Sequence, residues 1–402
     1  MSLAVFMVMM LCGVLAPRVC GASATLACLW DYDTLQMEAK GLPGIAEILT
    51  GRIERNPPRY YEMRLERVER EIAADTSRLD LYDDAGVACD RIGRSDEAIE
   101  WMSKKREVLD GLDANREDVR EHEYRYHANL GTFHAHRWLR AGARRDDLGD
   151  LKTGEREISL AIEINPEAHF GREKYQLAAI RWLMELPASN WGGQPTFLEL
   201  VVDPDGSATE PEALRLNRAE LDKAIEGIAG LLVLGDAWES VDVTWTLGML
   251  LQARGDSSLA VLAKMRVKEL MKNGRASFHP EFEVGRGMNS PLGHAGGPTD
   301  SASRDIESWY FRARENSRRW AANRETYMEA RFRLGEHPDT HPEFWEGWDD
   351  SPLAPRLPGD VLDVRSWGFE RWAVVLVGGS IVVGAIWIVR RRRNGTSEAE
   401  SK

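Results

Sequence analysis

Ala85-Gly86, Gly93 and Ala98 have a twin further along the chain in Leu247-Gly248, Gly255 and Ala260. Seven residues separate Gly86 from Gly93 and Gly248 from Gly255, and five separate Gly93 from Ala98 and Gly255 from Ala260. A small residue on one helix, a turn glycine, and an alanine on the following helix let two antiparallel helices touch closely. The spacing therefore predicts a helical hairpin made twice, which is the unit of a repeat architecture.

The rest of the chain reads as helices between breakers. Residues 25–40 form a lead-in segment with Trp30 and Leu35 as packing residues. Leu42 to Glu54 reads as a helix ended by Asn56-Pro57-Pro58, and Arg59 to Ala74 as an amphipathic helix with Tyr61, Leu65, Val68 and Ile72 on one face. A helix through Leu79, Tyr82, Ala85, Gly86 and Cys89 is broken by Gly93, and Ser95 or Asp96 opens the next, with Ala98, Ile99 and Met102 inward. Phe170 to Leu186 and a stripe of Leu214, Leu221, Ile225 and Ile228 are further helices. Residues 187–210 are an irregular excursion, and the glycine-rich residues 275–303 are a long loop or a lid. Asp305 to Leu334 is a long helix stopped by Gly335. Leu198 to Val202 is the one candidate strand, too short to carry a sheet. Several of the fourteen tryptophans fall in helical segments, and the tryptophans are assigned mostly to the core.

Tyr82, Ala85-Gly86, Gly93 and Glu97-Ala98-Ile99 together resemble a tetratricopeptide repeat. Lys105 departs from that pattern, which has a small residue there. A looser copy has His127, Leu130-Gly131 and His134 on its first helix and Ile158, Ala161 and Asn165-Pro166 at the end of its second. Between them Ala141 to Gly154 is long, an enlarged loop or a longer helix pair. Leu247-Gly248, Leu251, Gly255 and Ala260 make the best copy. The resemblance covers residues 78–112, 124–166 and 241–274, and it implies an all-α array of helical hairpins that binds other proteins. Tyr82, Gly86, Gly93, Ala98, Leu130, Gly131, Ala161, Pro166, Leu247, Gly248, Gly255 and Ala260 are then structural positions.

Both ends of the chain are apolar. Leu3 to Ala16 is uncharged and precedes Ala22-Ser23-Ala24, which gives a signal peptide over residues 1–24, cleaved or retained as an anchor. A buried N-terminal helix is the alternative. Trp372 to Val389 has eighteen residues and no charge, and as a helix it spans roughly 27 Å, close to a bilayer core. Trp372 and Trp387 sit near its ends, and Arg390, Arg391, Arg392 and Arg393 follow, placing residues 390–402 in the cytoplasm. These features predict an exported helical domain over 25–336, a juxtamembrane linker over 337–371 and a single transmembrane helix over 372–389, in a bacterial cytoplasmic membrane. Of the cysteines, Cys28 and Cys89 belong to the exported domain. There they form either a disulfide or two buried thiols.

The net charge of −13 argues against a nucleic-acid binder. His122, His127, His134 and His136 lie within fifteen residues and offer nitrogen ligands for zinc. The H-E-x-x-H spacing fails, because Tyr126 stands where the second histidine is needed. Gly285-Arg286-Gly287 and Gly293-His294-Ala295-Gly296-Gly297 lack the G-K-S/T of a phosphate loop. No G-x-S-x-G elbow is present, and Cys89 has no base nearby in sequence. The expectation is a membrane-anchored binding protein that uses no cofactor, with a protein or peptide partner of unspecified identity. Arg55, Arg59, Arg64 and Arg67 are offered to acidic groups. An exported metal-assisted enzyme using the histidines, and a scaffold assembled through its membrane span, are the alternatives.

Overall fold

The computed structural model describes residues 29–350 except 167, 189–194, 204–215, 236 and 285–299. Among the described residues the protein is all-helical and has no strand. Helices α1 (Tyr32–Lys40) and α2 (Ile45–Thr50) lead into α3 (Pro58–Ala74). Then come α4 (Leu79–Arg91), α5 (Ser95–Leu109), α6 (Glu117–Arg140), α7 (Gly149–Ile164) and α8 (Arg172–Glu185). After the short α9 (Leu198–Val202) follow α10 (Arg218–Val233), α11 (Val241–Arg254), α12 (Ser257–Lys272) and the 33-residue α13 (Asp300–Phe332). Each helix from α3 to α8, and from α10 to α13, packs on the next in the chain.

The repeated spacing has one physical cause. Gly93 has φ +82° and Gly255 φ +96°, both in the left-handed region that glycine enters without penalty. At the first, the Gly93 N–H donates to Asp90 O and the Arg94 N–H to Cys89 O (2.9 and 2.8 Å). At the second, the Gly255 N–H donates to Gln252 O and the Asp256 N–H to Leu251 O (3.1 and 2.9 Å). This pair of bonds closes the carbonyl end of a helix and reverses the chain. The Ala98 and Ala260 N–H groups then bond Arg94 O and Asp256 O, opening α5 and α12 alike. Gly142, at φ +93°, makes the same turn after α6. In that second hairpin α6 has 24 residues, and a connection over residues 141–148 leads to α7, which takes up the last six residues of the expected loop.

Small residues also set how closely the helices lie. A β-carbon at Gly86 would stand 3.0 Å from Met102 Cε on α5 and 3.0 Å from Phe133 Cε2 on α6. One at Gly131 would stand 3.0 Å from Gly154 O, and one at Gly154 would stand 2.9 Å from Gly131 O, so α6 and α7 touch backbone to backbone. Ala98, Ala161, Leu247, Gly248 and Ala260 are buried, as is Tyr82 against Trp101, whereas Leu130 is half-buried and Pro166 exposed.

The chain returns on itself at its C-terminal side. α2 packs against α10, α12 and α13, and α13 also reaches α3. Arg314 Nη1 donates to Thr50 O (3.0 Å) and Arg324 Nη1 to Arg55 O (2.6 Å). Met328, Phe332 and Phe344 share an apolar cluster with Tyr60, Leu65, Val68 and Tyr82. A larger cluster joins α2 with residues of α6 to α13.

Several expectations are corrected. The packed domain does not stop at 336. His337 and Phe344 are buried because their rings stack in the α3–α13 cluster, so the first part of the expected linker belongs to the fold. α2 is short, since Gly51 at φ +82° ends it well before Asn56-Pro57-Pro58. Leu198 to Val202 is helical. Trp30 is buried but Leu35 is exposed on α1. Of the tryptophans, Trp30, Trp101, Trp138, Trp182, Trp245 and Trp309 are buried. No helix among the described residues is long and apolar enough to cross a membrane. The signal at 1–24, Cys28, the span at 372–389 with Trp372 and Trp387, and the tail with Arg390 to Arg393 lie outside the described residues.

Candidate functional site

α4 is buried on nearly every side, yet it carries Asp83, Asp84 and Asp90. A carboxylate removed from water is tolerable only when paired or hydrogen-bonded, so these three residues mark where the helices are organised by polar chemistry. Asp83 takes the Lys105 ammonium on both oxygens (2.7 and 2.7 Å) and the Asn129 amide on one (3.1 Å). Burial raises its pKa, but Lys105 and the nearby His122 ring outweigh that and hold it below the usual carboxylate range. Asp90 accepts from His136 Nδ1 (2.6 Å) and Arg140 Nη1, and Arg140 Nη2 also bonds the Asp90 carbonyl (2.8 Å). Asp84 accepts the Tyr32 N–H (2.9 Å). Burial pushes Asp84 up to about 7, with Asp31 adding to the rise and Arg64 opposing it.

Against this face of α4 and α6 lies the extended backbone that precedes α1. Leu29, Trp30 and Asp31 are buried there, as is Thr34 in the first turn of α1. Asn129 reads the Trp30 peptide at two points: its Oδ1 accepts the Trp30 N–H (2.8 Å) and its Nδ2 donates to Trp30 O (3.0 Å). The Trp30 indole N–H donates to Tyr124 Oη (3.1 Å), and that hydroxyl donates to Glu173 on α8 (2.5 Å). The two rings meet edge to face at 5.2 Å, and the Arg125 guanidinium stands 5.1 Å from the indole.

The acids of the same segment converge on Arg64, which is fully buried on α3. Its Nη2 donates to Asp33 Oδ1 (2.8 Å), and its Nη1 stands 3.4 Å from Asp31 Oδ2. Its Nε and Nη2 grip Asp339 at two oxygens (2.7 and 2.6 Å), the planar fork that suits a carboxylate. Tyr60 donates its hydroxyl to Asp33 (2.6 Å). His337 accepts the Asp339 N–H at Nδ1 and donates from Nε2 to Tyr60 O (3.1 Å each), and burial lowers its pKa to about 4.

The four histidines of α6 do not converge. His127 Nδ1 meets Glu157 (2.7 Å) and His134 Nδ1 meets Asp150 (2.7 Å), both on α7. His136 turns the other way to Asp90, and His122 lies 3.9 Å from Asp83. Among the described residues no three His, Cys, Asp or Glu side chains are grouped to hold a metal ion. Cys89 is buried, and burial pushes its thiol up to about 12, which suppresses the nucleophilic thiolate. The glycine-rich stretch 285–299 lies outside the described residues.

The arginines offered to outside acids are engaged within the protein. Arg64 and Arg67 hold Asp339, Arg59 pairs with Glu62 and Glu66, and the Arg55 guanidinium lies 3.5 Å over Trp238. Asn129, Tyr124, Asp31, Asp33, Asp84 and Asp339 are absent from the expected site residues. α4 carries Asp80, Asp83, Asp84 and Asp90, and nothing in that pattern separates the three buried aspartates from the exposed Asp80.

Comparison with protein-family models, with curated proteins and with solved structures gives no match. The functional reading therefore rests on this geometry.

Proposed function

We propose that the chain is a membrane-anchored, tetratricopeptide-like protein whose exported domain binds another protein. The observation that carries the reading is the hairpin made three times with the same glycine turn, which builds surface area from stacked helices. Two further observations support it. His127, His134 and His136 are each engaged with a separate carboxylate, and no three ligating side chains are grouped among the described residues. The uncharged stretch Trp372 to Val389 with its four following arginines supplies the anchor, and the leader at 1–24 the export.

The test is affinity capture with the full chain in detergent, against solubilised host membranes and exported proteins. A partner that is displaced by untagged chain, and that survives high salt, supports the reading. Recovery of nothing beyond the chain itself contradicts it.

A further inference from the structure

We propose that the face formed by α3, α4 and α6 is a sequence-reading site for a peptide that enters as extended backbone and turns into a helix, and that the chain's own residues 29–34, extended up to Asp31 and helical from Tyr32, occupy it in cis. This rests on the binding role above and supplies the chemistry of the partner: a tryptophan followed by carboxylates at the first and third places.

The contacts are those of a bound ligand. A residue whose N–H and C=O are both taken by one side-chain amide is held at its backbone as a strand residue is held at a sheet edge, independent of side chain. Asn129 does this at Trp30, and Asp84 takes the next N–H but one, at Tyr32. Side-chain reading is added on either side of the backbone. Tyr124 and Arg125 receive the indole, while Arg64 and Tyr60 receive Asp33, and Arg64 approaches Asp31. Tyr32 is read through its backbone N–H, with its ring 47% exposed and 5.9 Å from the Arg64 guanidinium.

The segment is also built to leave. α1, which continues it, exposes Tyr32, Leu35, Gln36 and Lys40. Gly41 at φ +85°, followed by Leu42-Pro43-Gly44, separates it from the buried α2. The face it would uncover keeps its own supports: Asn129 still bonds Asp83, Asp83 still holds Lys105, and Tyr124 still bonds Glu173. A second segment of like sequence, presented in trans, would find the same donors and acceptors.

The experiment uses the full chain with Gly41–Gly44 replaced by a protease site, cleaved after folding. A fluorescent peptide of Leu29 to Lys40 is then added and its anisotropy followed. The expected result is saturable exchange into the cut chain, weakened about ten- to a hundredfold by Asn129→Leu, which removes two hydrogen bonds. Peptides carrying Trp30→Ala or Asp33→Asn should compete poorly. The uncut Trp30→Ala chain, with its own anchor lost, should take up the peptide while the uncut native chain does not. Exchange only in denaturant, collapse of helicity when the segment departs, or equal competition by a scrambled peptide would each overturn the proposal. If exchange fails while partner capture persists, the partner docks on another surface. If both fail, the binding role itself falls.

Discussion

Lys105 occupies a position expected to hold a small residue, and the structure shows why a long cation stands there. It is fully buried, and it neutralises the equally buried Asp83. Removing one member of such a pair strands the other, so Lys105→Met should cost about 3–5 kcal/mol in urea unfolding. The double change with Asp83→Leu should recover most of that loss. A second residue-scale prediction concerns pH. Asp84 binds its proton up to about pH 7 when folded, but only to its ordinary value of 3.8 when unfolded. Between those values the folded state holds the extra proton, so Asp84's contribution to stability falls as pH rises through that window. Asp84→Asn removes the effect. The stability difference, variant minus native, should therefore grow from pH 4 to pH 7, by at most about 4 kcal/mol. A difference that is flat with pH would refute the assignment. His337 works in the opposite sense, losing its contribution as pH falls from 6.5 towards about 4. None of these roles was legible in the sequence. An aspartate on a helix looks solvated until the third dimension shows which helices cover it.

At the scale of elements, the turn glycines and the close contacts are separate effects with separate costs. A β-carbon at Gly93 meets nothing within 4 Å, so Gly93→Ala pays only for the left-handed backbone, about 1–2 kcal/mol. Gly131→Ala instead drives a β-carbon to 2.9 Å from Ile158 Cγ1 and 3.0 Å from Gly154 O, and overpacking of that kind costs about 1–3 kcal/mol. The two should be distinguishable by crystal structure: α6 and α7 move apart in the second variant and stay in register in the first. The hairpins were legible because a positive-φ turn and a backbone contact each demand glycine, which leaves a mark in sequence. The length of α2 and the helical state of Leu198 to Val202 were not. Both are short segments whose conformation is set by the helices packed around them.

At the scale of the whole molecule, the surprise is the return of the C-terminal region onto α2 and α3. Asp339 holds Arg64 and Arg67, and Phe344 fills the apolar cluster beside Tyr60 and Val68. A chain ended after residue 336 should therefore unfold at markedly lower urea than one ended after residue 350, because Arg64 loses its two-point partner. Equal midpoints would place Asp339 outside the stabilising network. The continuation past residue 336 is not legible in the sequence, because a stretch rich in Pro, Gly and Trp has the composition of a linker until its ring contacts are placed. Arg64 joins three distant parts of the chain at one guanidinium, Asp31 and Asp33, α3 and Asp339, and no local pattern in the sequence encodes that meeting.

As proposed above, residues 29–34 are a ligand that the protein carries on its own face. Native-state hydrogen exchange of the full chain, read at the Trp30 and Tyr32 amides, tests it most directly. These two protons should exchange through local opening, well before the buried amides of α4 and α11 and with little dependence on denaturant. Exchange of all of them together, only through global unfolding, would make the segment an ordinary part of the core and contradict the account.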